Sequence, residues 1–188
     1  MRYEYRVTKY DPRLRDEQGR YTRVEWTFFA QVGKRVAGRK VTMQQYLKTE
    51  RTYLTVLEAF LKEADVSALD LRDLEITSRN RMQHSVWYRR RELTVPLAIK
   101  FSRLALRERV WGRLIAPRRA YVHFGWDYYM YVGLSRPTPI AIDTATALGL
   151  YIETHSSPCA RAQSSRKIGS DHSHPDSRPP ADGGHREQ

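Results

Sequence analysis

The residue types best suited to chemistry fall in one stretch, Tyr121-Val-His-Phe-Gly-Trp-Asp-Tyr-Tyr-Met-Tyr-Val-Gly133, where one histidine and one aspartate sit among six aromatic side chains. His123 and Asp127 are the types of a general base and its orienting carboxylate, a pairing that works only within hydrogen-bond reach. Four residues along a turning strand do not impose that reach. No nucleophile or metal-ligating set accompanies the pair, so Asp127 reads better as an acceptor of turn amides. On a hairpin, alternation puts Tyr121, His123 and Gly125 on one face and Val122, Phe124 and Trp126 on the other. In the return strand, Tyr129 and Tyr131 oppose Tyr128, Met130 and Val132. One face then belongs to a core. The other is an aromatic platform carrying His123, able to stack on a ligand, a base or a partner's side chain. Plain sheet packing beneath covering layers on both sides meets the same spacing.

A second group is cationic. The net charge of +12 comes from 33 Lys and Arg against 21 Asp and Glu, but residues 1–78 carry 15 basic and 12 acidic side chains, whereas residues 79–119 carry 12 basic and 2 acidic. Residues 120–154 come to −2 and residues 155–188 to +1. The protein therefore reads as a near-neutral body with one basic belt, which includes Arg89, Arg90, Arg91, Lys100, Arg103 and Arg107. Arginine forks favour carboxylates and phosphates, so the belt fits an acidic protein or a nucleic acid, and a solvated charged face that keeps the chain soluble is the plainer alternative. Arg119-Ala-Tyr-Val-His-Phe124 keeps the basic first and aromatic third residues of an RNA-recognition strand motif but lacks its glycine, its small fourth residue and its aromatic fifth. That disfavours an RNA-recognition domain. Phosphate-binding loops, nucleophile elbows, zinc-protease motifs and dinucleotide glycine patterns are absent, and no cofactor is expected.

These residues need elements to hold them. Tyr3 to Tyr10 alternates as a half-buried strand, ended by Asp11-Pro12. Thr22-Arg-Val-Glu25 has the form of a capping box and predicts a short helix over about 23–32 carrying Trp26, Phe29 and Ala30, with Gly33 as its left-handed stop. Thr42-Met-Gln-Gln45 repeats the device and opens the clearest helix, with one apolar stripe running from Met43 through Tyr46, Tyr53, Leu57, Phe60 and Leu61 to Ala64. Leu69, Leu71, Leu74 and Ile76 form a strand whose spacing shifts at Asp73, and residues 77–92 read as a charged loop. Thr94 and Pro96 open a third helix, with Leu97, Phe101, Leu104 and Ala105 inward and Lys100, Arg103 and Arg107 outward. Strands follow at Trp111–Ala116, Tyr121–Gly125 and Tyr128–Leu134. A short helix begins at Thr138-Pro139 and stops at Gly149, and a last strand spans Leu150–Glu153. The pattern is α+β, a mainly antiparallel sheet of five or six strands with three to four helices on one face.

The length of 188 residues suits one such domain, taken as 1–154, with 155–188 as a disordered tail in which Ile168 is the only large aliphatic residue. His172-Ser-His174 with Asp171 has metal-ligating types, and Cys159 is the only cysteine, but nothing in that composition orients them, and no metal is expected. No run approaches the length of a membrane span and the first residues lack a signal's apolar segment, so a cytoplasmic protein is expected.

The aromatic hairpin of residues 122–133, taken with Glu25-Trp26-Thr27 and the helix from Tyr46-Leu47 to Leu61, resembles a group of small bacterial α+β proteins bearing a Gly-x-Asp-Tyr-Tyr-Met-Tyr-Val-Gly hairpin, over about residues 1–154. No activity is assigned to that group, so the resemblance assigns no role to any residue. In size and architecture alone, such proteins resemble immunity proteins that neutralise a toxin by binding it. The expectation is a non-enzymatic binder of an acidic protein. Its surface would join Arg89, Arg90, Arg91, Lys100, Arg103 and Arg107 to Tyr121, His123, Asp127, Tyr129 and Tyr131, and nucleic acid is the alternative partner.

Overall fold

A computed structural model describes residues 1–77, 87, 89, 91–125 and 128–155. Most of the 77–92 loop, Arg90, Trp126, Asp127 and the tail with Cys159, His172 and His174 lie outside the described residues. The compact unit is Met1–Ser157.

In chain order its elements are β1 (Tyr3–Thr8), β2 (Arg35–Val36), β3 (Arg39–Lys40), α1 (Met43–Glu63), β4 (Ala68–Ile76), β5 (Glu92–Thr94), α2 (Val95–Leu106), β6 (Val110–Ala116), β7 (Ala120–Phe124), β8 (Met130–Leu134), α3 (Pro139–Ala147) and β9 (Tyr151–Thr154). Seven strands form one antiparallel sheet in the order β5-β4-β6-β7-β8-β1-β9, while β2 and β3 form a separate two-stranded ribbon. The fold is α+β, with one strand more in the sheet than the upper expectation.

Alternation divides the sheet cleanly. Tyr5, Val132, Val122, Leu114 and Leu71 are successive register partners on one face and pack in the core. The neighbouring row, Glu153, Arg6, Tyr131, His123, Arg113 and Arg72, lies on the opposite face. The helices take the first face: Phe60 of α1 stacks on Tyr5 at 5.9 Å between ring centroids, and a Cβ on Gly112 of β6 would press against Phe101 of α2. The shift at Asp73 is a β-bulge, with Asp73 at φ 51° and a register change between Arg72 and Glu75.

Helix α1 begins as its sequence dictates: the Thr42 hydroxyl accepts from Gln45 N at 3.1 Å and the Gln45 side chain accepts from Thr42 N at 3.0 Å. Helix α3 is capped from a distance. The Glu63 carboxylate, in the last turn of α1, accepts from Ile140 N at 3.2 Å and Ala141 N at 2.8 Å, filling the place that the Thr138 side chain leaves unused. Gly149, at φ 79°, ends α3 as expected.

The helix expected over 23–32 does not form, and only a 3-10 turn at Phe29–Gln31 remains. The capping-box residues are engaged elsewhere. Thr22 donates its hydroxyl to Leu14 O at 2.9 Å, and Glu25 accepts from Lys9 Nζ at 3.2 Å. Trp26 packs against Tyr128 while Phe29 packs against Tyr46, so tertiary partners claim the two rings in succession. Strand β1 also ends two residues short of Tyr10, because the Lys9 amide leaves the ladder to donate to the Tyr53 hydroxyl at 2.8 Å.

The two threonines give a direct contrast. Thr42→Ala is expected to cost about 1 kcal/mol of stability, the usual worth of a helix cap, and Thr22→Ala less than half as much, read from urea unfolding midpoints at constant slope.

Candidate functional site

The face turned away from the helices carries a chain of rings. Tyr21 and Tyr10 lie 5.2 Å apart between centroids, Tyr10 and Tyr129 6.1 Å, Tyr129 and Tyr131 6.4 Å, Tyr131 and His123 4.8 Å, and His123 and Tyr121 6.3 Å. The middle of the chain is flat: the His123 ring is within 17° of Tyr131 and 24° of Tyr121. Two glycines allow this. A Cβ on Gly133 would sit inside the Tyr121 ring, and one on Gly125 would meet Tyr131 at 2.9 Å. The Tyr121 hydroxyl donates to Glu4 at 3.0 Å, which holds the ring down.

Alternation thus places Tyr121, His123 and Tyr131 together as the sequence predicts, but His123 and Tyr131 do not take the exposed position that stacking requires. His123 is 4% exposed and Tyr131 8%. Burial lowers the His123 imidazole to about 4, with the Arg113 guanidinium adding to the effect and a hydrogen bond to the Phe124 backbone opposing it. At neutral pH it is an uncharged ring in a stack, the floor of the face rather than its surface.

At one end the chain opens into a cavity of about 220 Å³ lined by Tyr10, Tyr21, Arg23, Val24, Glu25, Thr27 and Tyr129. Three phenol rings form much of its wall, and Val24 stands at its mouth, 68% exposed. Behind it, Lys9 extends its ammonium over the rings of Tyr10 at 4.0 Å and Trp26 at 4.3 Å and pairs with Glu25 at 3.2 Å. Burial lowers Lys9 to about 8 although Glu25 pulls the other way. Arg6 lies over the Tyr129 ring at 4.9 Å, and Arg6 and Arg15 both bind Glu153, whose carboxyl is held below the usual range chiefly by the Arg15 hydrogen bonds. Arg15 also donates to the Tyr21 hydroxyl. Tyr129 is pushed up to about 12, mainly by burial and then by Tyr21. Glu25 serves both Lys9 and Arg23, as Glu153 serves both Arg6 and Arg15, so this end keeps four cations against two carboxylates.

The arginines expected to join this surface go elsewhere. Arg107 grips Glu50 of α1 through Nε at 2.6 Å and Nη2 at 2.8 Å, and Arg103 stands 3.6 Å from the same carboxylate. Glu50 is 3% exposed and also accepts from the Tyr46 hydroxyl at 2.9 Å. A carboxylate buried in a helix interface needs such partners, so these two arginines are held on the helix layer, across the sheet from Tyr121, His123 and Tyr131. Lys100 is exposed on the same helix, while Arg89 and Arg91 are exposed near β5. The joint surface of belt and hairpin is therefore not formed by Arg103 and Arg107. Arg113 alone of the belt's described arginines is a register partner of His123, and it is paired with Asp73.

Lys9, Tyr10, Tyr21 and Glu25 were not legible as site residues. Glu25 reads as part of a helix cap, and Tyr10 and Tyr21 sit in segments whose meeting no local pattern announces. Among the described residues no group of His, Cys, Asp or Glu is arranged to hold a metal ion, and no helix is long and apolar enough to cross a membrane. No protein-family model, curated protein or solved structure matches this chain.

The His123 stack has a pH signature. The unfolded chain binds a proton near 6.5, but folded His123 does so only near 4, so stability falls as pH drops through that window. His123→Gln is expected to lose less stability than the parent over the same window, by on the order of 3 kcal/mol, measured as urea midpoints at a series of pH values.

Proposed function

We propose that the protein is a non-enzymatic binding protein that docks an acidic segment of a partner protein at the Tyr10, Tyr21 and Tyr129 cavity. The observation that carries this reading is the cavity itself. It has ring walls and an exposed apolar residue at its mouth, and its charged groups are already engaged with one another. A volume of about 220 Å³ suits one aromatic or large aliphatic side chain, the kind of anchor that dominates protein interfaces. The surplus of cations around Glu25 and Glu153 favours carboxylates flanking that anchor. The half-buried rings of Tyr121 and Tyr129 and the half-buried Trp111 and Ile115 extend the same face into a rim of mixed character.

This keeps the partner class read from the sequence and moves the contact. Arg6, Arg15 and Arg23 take the place that Arg103 and Arg107 were expected to fill. His123 has a supporting role beneath the face, and no acid–base step is assigned to it.

A photoreactive side chain at position 24 is expected to cross-link one protein of acidic composition in cell extract. That protein, once purified, should bind the parent chain with a Kd raised about tenfold or more by Val24→Glu, with unfolding temperature unchanged because Val24 is exposed. Equal affinity of the parent and Val24→Glu for the cross-linked protein would overturn the reading.

A further inference from the structure

The ribbon β2–β3 takes no part in the cavity or in the sheet. Its strands, Arg35–Val36 and Arg39–Lys40, make their main contacts with each other. Arg35 is the register partner of Lys40 and Val36 of Arg39, and the ladder continues inward through Val41 N to Lys34 O at 2.9 Å and Gly33 N to Val41 O at 2.8 Å. The reversal is made by Ala37 and Gly38, at φ 47° and 77°, the two left-handed residues of a tight hairpin turn whose twist matches its strands. At roughly 3.4 Å per residue the arm is about 10 Å long from Gly33 to its turn.

Lys34, Arg35, Arg39 and Lys40 are all exposed, and none lies within 4.0 Å of a carboxylate among the described residues. Among the described residues their one side-chain hydrogen bond goes from Arg35 to Gly38 O, 2.8 Å, across the turn. Four like charges on a seven-residue arm repel one another, and folding does not require them. Cross-strand pairing also distributes them. Arg35 and Lys40 lie on one face of the ribbon, and Lys34 and Arg39 on the other.

That two-sided placement selects a partner. A flat acidic protein surface would meet one face of the ribbon and leave the other pair in water. A groove with phosphates along both walls would meet both faces. The major groove of B-form DNA is about 12 Å wide and about 8.5 Å deep and admits a two-stranded ribbon. The length of the arm is close to that depth. Helix α1 starts two residues beyond the ribbon, and its Lys48 and Arg51 are exposed as well. We infer that the β2–β3 ribbon is an arm that enters the major groove of double-stranded DNA and reads its backbone charge through Lys34, Arg35, Arg39 and Lys40. This surface is independent of the cavity.

The test uses the full chain and a fluorescein-labelled mixed-sequence duplex of about 20 base pairs, followed by anisotropy. Binding should weaken with salt with a log–log slope of about −4, as expected for roughly four released counterions at about −0.9 each. The variant Lys34→Gln, Arg35→Gln, Arg39→Gln, Lys40→Gln should lose most of the affinity and flatten the slope while keeping the parent's unfolding midpoint. Lys100→Gln with Arg103→Gln should leave binding within about twofold. Duplex RNA, whose major groove is deep and narrow, should bind more weakly than the DNA. Absence of binding near 50 mM salt, where such contacts are strong, would overturn the inference. So would equal affinity of the ribbon variant, or single strands bound as tightly as the duplex. If the quadruple variant failed to fold, Arg35→Gln alone should still lower the slope by about one, and an unchanged slope would overturn it.

Discussion

The Tyr53 hydroxyl is the contact on which the end of β1 and the start of β8 both depend. Its ring is wholly buried in α1, and its oxygen donates to Tyr128 O at 2.6 Å while accepting from Lys9 N at 2.8 Å. A half-buried backbone amide and a buried carbonyl, each leaving a ladder, are thereby satisfied by one side chain at the place where β1 and β8 stop pairing. An unmet polar group there would cost about 1–3 kcal/mol. The bridge sets Lys9 and Tyr10 beside Tyr129, which brings the cavity walls together. Tyr128 takes the left-handed conformation at φ 60°, turning its own ring into the core against Trp26, Tyr46 and Tyr53 while Tyr129 faces outward. The Tyr128 hydroxyl then donates to Leu106 O at 2.9 Å, so the same residue ties the end of α2 to the sheet.

Buried charge explains the rest of the surface. Glu50 interrupts the apolar stripe of α1, and its desolvation is offset only because Tyr46 and Arg107 hydrogen-bond to it and Arg103 lies near it. Arg107 thereby becomes part of a helix–helix joint, with the still exposed Arg103 at its edge. Glu63 does similar work between α1 and α3, where a carboxylate supplies the cap that the local sequence lacks. In the coil from Tyr21 to Val41, the first half is pinned by Lys9, Trp26 and Phe29 and forms a wall of the cavity. The second half forms the ribbon, whose cations have no such carboxylate among the described residues. The charge balance of the two halves differs because the first carries its own carboxylate, Glu25, which pairs with Lys9 and Arg23, and the second carries none.

Much of the architecture was legible because its causes are local. The capping box at Thr42 and Gln45, the apolar stripe of α1, the bulge at Asp73, the stop at Gly149 and the alternation of Tyr121, His123 and Tyr131 each depend on neighbours within a few residues. The same local grammar misread Thr22 and Glu25, because a hydrogen bond to Leu14 and an ion pair with Lys9 outweighed a first helical turn. It also left the ribbon unseen: two-residue strands carry too little periodicity to register, although Ala37-Gly38 between cationic pairs has the look of a turn.

By itself the sequence determined an antiparallel α+β domain, the faces to which its hairpin rings belong and a strong excess of positive charge, because periodicity, capping and composition act along the chain. Only the tertiary structure decided which charges remain available and which rings meet. Glu50 and Arg107 are 57 residues apart, and Lys9 reaches Tyr53 across 44. Partnerships at that range follow from how layers pack and from the need of every buried polar atom for a partner, and neither is written in the spacing of adjacent residues.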